Sequence, residues 1–268
     1  MGINYKHFEL YKELYKEGYF KDIKSVLEFG SQDVGCKKDE IIKFLKYINK
    51  DENYLDDFYK KQGGKTIKEI LRRNCSFSSK IIYEWLGIKE YESIDSDGKW
   101  NAKVFDLNKV LKKEYNYTKQ FDLTTNIGTS EHIFNQLSFF KNMHDLTKED
   151  GYMFHVIPFR CELNHCLYMY TPIFFNSLIK DNNYKVIKYW VINDSFIIKN
   201  IKNINIPLDN LKGTIWIFYF LKKTNGDFKI PFQRGNIYEE DNKLNEYDKS
   251  NHNRIIKRVI KKVANIKI

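Results

Sequence analysis

Apolar residues along this chain recur at two periods. Near the start, Phe8, Tyr11, Tyr15 and Tyr19 fall at helical spacing with Leu14 on the same side and Lys or Glu between them. That pattern predicts an amphipathic helix ending near Gly18, and its aromatic stripe reads as core packing. Residues 23 to 29 (IKSVLEF) predict a short buried strand running into Gly30 and the polar turn Ser31-Gln32-Asp33. Helical spacing returns over residues 39 to 73, through Ile41, Ile42, Leu45, Ile48 and then Ile67, Ile70, Leu71, with a break at Gly63-Gly64. It returns again over 79 to 86 and 133 to 146. Strands are predicted to start at Ile23, Tyr91, Lys103, Phe121, Tyr152, Tyr184 and Gly213, which makes seven. Helices separate most of them, so the expected class is α/β, a mostly parallel sheet with helices on both faces. The polar stretches 193 to 212 and 225 to 250 read as loops or a loose tail.

Composition narrows this little. A chain of 268 residues with 42% hydrophobic positions can bury one large core, and its longest apolar run, 215 to 221, is too short to cross a bilayer. The first residues lack the apolar centre of a signal peptide, so a cytoplasmic location is expected. Cys36, Cys75, Cys161 and Cys166 match no zinc or redox spacing and read as reduced thiols. The formal charge of +10 suits an anionic partner, whether nucleic acid, phosphorylated metabolite or membrane. Basic residues Arg254, Lys257, Arg258, Lys261, Lys262 and Lys267 interleave with Ile and Val, as in a helix that packs on the body, on a second subunit to give a homodimer, or on an anionic membrane. The expected division is a domain over 1 to 224, with a helical insertion at about 36 to 77, followed by a polar loop and basic tail over 225 to 268.

In open α/β sheets ligands bind beyond the carboxyl ends of the strands. The residues closing the runs are Glu28 to Asp33, Ile94 to Gly98 with Asp95 and Ser96, Asp106 to Asn108, Asn126 to His132, and Ile157 to Phe159. Gly30 lets a backbone approach a ligand closely, and Asp95 can accept both ribose hydroxyl protons. Asp106 can accept from an adenine amino group while the Leu107 amide faces a ring nitrogen. A nucleoside site follows. A nicotinamide dinucleotide fits poorly, because no GxGxxG is present and Gly30 and Asp95 stand 65 positions apart.

With those residues in place, VLEFGSQDV at positions 26 to 34 resembles the first motif of class I S-adenosylmethionine (SAM)-dependent methyltransferases, in an ExGxQD variant. YEWLGIKEYESIDSDG, FDLTTNIGTSEHIFNQ, HDLTKEDGYMFHVIPF and LNHCLYMYTPIFF follow in the order seen in a subgroup linked to bacterial capsule and surface-polysaccharide clusters. The resemblance spans roughly residues 25 to 192, with a strand similar to the family's last antiparallel one at 213 to 221. It implies a Rossmann-like seven-stranded sheet with one antiparallel strand, SAM as cofactor, S-adenosylhomocysteine as product, and no metal; the helical insertion after the first turn, with the N-terminal helix, reads either as a lid over the acceptor site or as a packing decoration. It places Glu28, Gly30, Ser31 and Gln32, with Asp33, around the amino-acid part of SAM, Asp95 and Ser96 at the ribose, Asp106 and Leu107 at the adenine, and Asn126 with Gly128 near the methyl group. Val34 and Cys166 stand where many relatives have Gly.

A hydroxyl acceptor gains from a base, and histidine suits near-neutral pH. His132, after the fourth strand, and His165, after the fifth, are the candidates, with Glu131 orienting His132 or meeting the SAM amine; His155 reads as packing. Asn126-Ile127-Gly128-Thr129 replaces the (D/N)PPY loop of enzymes that methylate exocyclic amines of DNA, which argues against DNA. By resemblance the acceptor is a sugar, nucleotide-linked or phosphoramidate intermediate of surface-glycan synthesis. An RNA methyltransferase and a catalytically silent SAM-binding scaffold are the alternatives.

Overall fold

The computed structural model describes residues 2–50, 77–160, 164–193, 197–199 and 213–232. Cys75, Cys161, Gly63-Gly64, His252 and the basic segment from Arg254 onward lie outside them. So does the expected tail beyond residue 232. Every element described below falls in one of the chain's two compact units, Met1–Ile230.

Nine strands and six helices form within the described residues. The strands are β1 (Ser25–Phe29), β2 (Asp33–Val34), β3 (Phe77–Ser78), β4 (Glu90–Ile94), β5 (Phe121–Ile127), β6 (Thr147–Arg160), β7 (Lys185–Ile192), β8 (Ile197–Lys199) and β9 (Ile215–Lys222). The helices are α1 (Tyr5–Lys16), α2 (Lys38–Tyr47), α3 (Lys80–Trp85), α4 (Leu111–Tyr115), α5 (Gln136–Leu146) and α6 (Pro172–Asp181). The main sheet runs in the order β4-β1-β5-β6-β9-β7-β8, while β2 and β3 form a separate ribbon. β4, β1, β5 and β6 are mutually parallel; β9 is antiparallel to both β6 and β7.

Period-2 alternation explains why the sheet carries helices on both faces. Val26, Phe154, Val156, Trp190, Phe218 and Phe220 point into one core with Phe8, Tyr11 and Leu14 of α1, Ile41, Phe44 and Leu45 of α2, and Ile82, Tyr83 and Trp85 of α3. Their neighbours Leu27, Met153, Ile157, Val191, Ile217 and Tyr219 point into a second core with Phe139, Phe140 and Met143 of α5 and Phe175 and Leu178 of α6. Both cores are closed, so a one-residue slip in any central strand would exchange its two apolar sets.

The aromatic stripe of α1 does pack: Phe8 and Tyr11 are buried, with Tyr15 and Tyr19 against the same core. Two sequence expectations are corrected. The strand expected at Lys103 contributes one bridge to Ile94; Val104 is exposed and Phe105 stacks on Tyr115 at 4.2 Å, so its apolar residues serve a local cluster instead of a ladder. The seventh strand of the sheet is β8, from a stretch expected to be loop, and it pairs antiparallel with β7. Two strands therefore run against the rest. Of the segment expected to be a lid or a packing decoration, α2 packs on the core through Ile41, Phe44, Leu45 and Ile48, and the residues from 51 to 76 lie outside the described ones.

Strand order reverses beside β1, since the chain passes from β4 on one side to β5 on the other. In open α/β sheets such a switch point, at the carboxyl ends of the strands, is where ligands bind. Gly30, with φ of 83°, occupies the turn after β1, and a Cβ there would lie 2.0 Å from Thr129 Oγ1. Alanine at position 30 should thus cost about 1–3 kcal/mol from backbone strain and overlap. Denaturant unfolding should show that loss in Gly30→Ala and partial recovery when Thr129→Gly is added; an unchanged midpoint in the single variant would show that the turn yields freely.

Candidate functional site

Four loops meet at this end of the sheet. Under the first lies Glu28, fully buried, whose Oε2 accepts from the Gln32 amide at 3.1 Å, the Tyr91 hydroxyl at 2.8 Å and Ser79 Oγ, while Oε1 accepts from the Tyr83 hydroxyl at 3.1 Å. Tyr11 of α1 stands behind, 3.2 Å from Tyr83 Oη. Burial raises the Glu28 pKa, and its four donors oppose that rise. Glu28 therefore sits beneath the turn and holds it by the Gln32 amide.

The turn and the loop after β4 are tied reciprocally. The Ser31 amide donates to Asp95 Oδ2 at 2.8 Å, and Ser96 Oγ stands 3.5 Å from Oδ1. In the other direction, Asp33 Oδ2 meets Lys99 Nζ at 2.6 Å and Asp33 Oδ1 accepts from Trp100 Nε1 at 2.8 Å. Trp100 and Asn101 have φ of 57° and 63°, a left-handed conformation that costs of order 1–3 kcal/mol per non-glycine residue and persists where contacts hold it. Lys99 and Trp100 were not singled out in the sequence; a bulky aromatic beside Gly98 in the loop after Asp95 was the available signal. Val34 is the strand residue that pairs with Phe77 and bridges to Ile3.

Asp106 is exposed and accepts at Oδ1 from both the amide and the side-chain amide of Asn108 at 2.9 Å, which lowers its pKa. Leu107 beside it is buried. Asn108 reaches Asn135, at the start of α5, through two bonds of 2.9 and 3.1 Å. This loop thereby joins the one after β5.

Near the end of β5, Asn126 organises that loop. Its Oδ1 accepts from the Ser130 amide at 3.0 Å, and its Nδ2 lies 2.9 Å from Ser130 Oγ and 3.3 Å from His155 Nδ1. Gly128, at φ of 67°, donates its amide to Val156. Thr129 Oγ1 donates to the Phe29 carbonyl at 2.7 Å, so the close approach that Gly30 permits is that of Thr129. Asn126 and Glu28 both act here through the loops they shape.

Burial sorts the histidines. His7 completes the α1 cap, His144 bonds Tyr184 and the Gly226 carbonyl, and His155 is packed between Phe140 and Phe175, its pKa pushed down to about 3 by burial. His132 and His165 are exposed, with ring centroids 4.9 Å apart and planes at 86°. The carbonyl of buried Glu131 brings them together, since it accepts from both the Leu167 and Tyr168 amides at 2.9 and 3.1 Å and pins one loop on the other. Partial burial first, and the neighbouring His165 next, lower the His132 pKa. The His132 ring therefore keeps its neutral, basic form to lower pH than a free imidazole does.

No family model and no curated protein matches this chain. Solved structures do resemble it. A SAM-dependent methyltransferase from Archaeoglobus fulgidus is similar at 17% identity and a TM-score of 0.40, over 81% of this chain and 94% of that one. An O-methyltransferase family protein from Burkholderia thailandensis is similar at 9% and 0.40, over 83% of this chain and 56% of its own length. The O-methyltransferase of a Brevibacillus brevis polyketide multienzyme, in complex with S-adenosylhomocysteine, is similar at 14% and 0.38, over 81% and 72%. Likeness this shallow assigns no activity to the present chain.

Glu28 makes a pH prediction. With its folded pKa above the ordinary 4.5, its contribution to stability is complete below that value and is lost as pH rises through the folded one. Urea midpoints measured from about pH 4 to about pH 8 should fall more steeply with pH in the wild type than in Glu28→Gln. Parallel curves would show that the buried carboxyl ionises as readily inside as outside.

Proposed function

We propose that this chain is a SAM-dependent O-methyltransferase acting on a small-molecule hydroxyl. The observation that carries the reading is the convergence, at one end of the sheet, of a clasped acidic turn pair with two exposed histidines. The cofactor fits the residues present: Ser31 Oγ and Gln32 Oε1 are buried at the turn without hydrogen-bond partners, and suit the carboxylate and ammonium of an amino acid. Asp95 and Ser96 would take the ribose hydroxyls, Asp106 and Leu107 the adenine edge, and Gly128 the loop nearest the reacting centre.

SAM, when bound, supplies a methyl group on a positively charged sulfur. The protein's own work is to align the acceptor and exclude water. Either exposed imidazole can receive the hydroxyl proton as the acceptor oxygen reacts, and the other ring, edge to face, fixes its orientation. His165, on the loop over the acceptor side, is our choice for the base. Glu131 fixes the spacing of the two loops. The motif resemblance supports an acceptor from capsule or surface-polysaccharide biosynthesis.

Calorimetry should find binding of SAM and S-adenosylhomocysteine and none of NAD, with Asp95→Ala weakening SAM by roughly tenfold to a hundredfold as a charged hydrogen-bond acceptor is lost. His165→Ala should bind SAM unchanged while methyl transfer falls about a hundredfold or more. Retained transfer removes His165 from the chemistry, and absence of SAM binding in the wild type removes the whole reading.

A further inference from the structure

The two loops that carry His132 and His165 also carry an unusual concentration of exposed apolar side chains. Phe134 and Leu137 come from the loop after β5 and the first turn of α5, Leu167 and Met169 from the loop after β6, and Ile173 from the first turn of α6. Their exposures run from 40% for Met169 to 76% for Phe134, and isolated exposed residues of this size are ordinary whereas a group of five around a candidate site is not. The loops are held as one surface: Tyr168 Oη donates to the Phe134 carbonyl at 3.0 Å, Tyr170 Oη donates to Gln136 Oε1 at 2.6 Å, and the Glu131 carbonyl takes the Leu167 and Tyr168 amides.

Charge is missing from the same stretches. In a chain with 30% charged residues, positions 133 to 140 and 164 to 179 contain no Asp, Glu, Lys or Arg. Lys141, next along α5, is paired with Asp145 at 2.7 Å, and Lys180 lies at the far end of α6. An anionic acceptor is bound by cations and aligned N–H donors, and an exposed apolar rim offers it nothing. A hydroxyl attached to an alkyl or aromatic body would gain by covering that rim, and its hydroxyl would then lie at the imidazoles.

We propose that the acceptor presents its reactive hydroxyl on an uncharged, apolar body that seats on Phe134, Leu137, Leu167, Met169 and Ile173 beside the histidine pair. This rests on the methyltransferase reading for the meaning of "acceptor" and narrows the surface-glycan class to its neutral, amphiphilic members.

Diethyl pyrocarbonate carbethoxylates accessible imidazoles, so the rate at His132 and His165, mapped by mass spectrometry on the full chain, reports occupancy without turnover. Octyl β-D-glucoside, held below its micellar concentration, should protect both rings at concentrations roughly tenfold or more lower than methyl β-D-glucoside needs, the ratio expected when about two or more methylenes are buried. Leu137→Gln combined with Leu167→Gln should abolish the difference, and because both side chains are exposed the melting curve should not move; Phe134→Ser provides a second, independent variant. Equal protection by the two glucosides, protection that survives these variants, or protection by glucose 1-phosphate alone would overturn the proposal. SAM calorimetry on the same samples separates the two ideas: SAM binding without octyl selectivity sinks only the acceptor class, and octyl selectivity without SAM binding sinks only the methyltransferase.

Discussion

The site depends on one buried carboxyl group. Glu28 lies at the end of a strand with no exposed surface, where an unpaired carboxylate would be expelled or neutralised. Four donors keep it in place, and each comes from a different point in the chain: the Gln32 amide, Ser79 before α3, Tyr83 within α3 and Tyr91 on β4. A single group therefore positions α3, β4 and the turn after β1 with respect to one another. Tyr11 extends the network to α1, which explains why an N-terminal helix bears on a site it does not touch.

The exchange of acidic contacts between two loops builds on that frame. Asp95 receives an amide from the turn after β1, and Asp33 of that turn receives an ammonium and an indole from the loop after β4. The second contact holds Trp100 in a conformation that such a residue rarely adopts. Lys99 and Asp33 are both more than a third exposed, so their ion pair is screened and contributes little stability of its own. Its consequence is geometric: the turn after β1 and the loop after β4 cannot drift apart independently.

Period-2 and period-3.6 patterns made most of the fold legible, because the central strands are buried on both faces and the helices cover them with single apolar stripes. β1, β4, β5, β6, β7 and β9 lie where the apolar runs predict. The failures have a common cause. Val104 and Phe105 look like a strand, yet Phe105 finds its partner in Tyr115, ten residues on, and such local aromatic stacking leaves no periodic trace. β8 reads as loop because a three-residue edge strand needs only backbone pairing. At the site, Glu28 and Asp95 were readable from their place at strand ends, Asp106 was read from a strand that does not form, and the partners of all three were not legible. Nothing in the sequence pairs Asp33 with Trp100 or Thr129 with Gly30, since both contacts join loops that meet only once the sheet has formed.

Net charge is the feature that points most easily in the wrong direction. A value of +10 suggests an anionic ligand, but positions 250 to 268 hold six Lys and Arg and no Asp or Glu, more than half of the excess. The loops around the histidine pair are neutral over long stretches and rich in exposed Leu, Met, Ile and Phe. Screening confines a surface charge to about 8–10 Å at physiological salt, so a basic segment influences a binding site only where the two adjoin. On the function proposed above, what selects an acceptor is the chemistry within contact distance of its reacting atom, and the chemistry of these loops is two imidazoles beside exposed apolar side chains. The bulk charge of the chain and the character of its candidate site are thus separate properties, each written in a different part of the sequence.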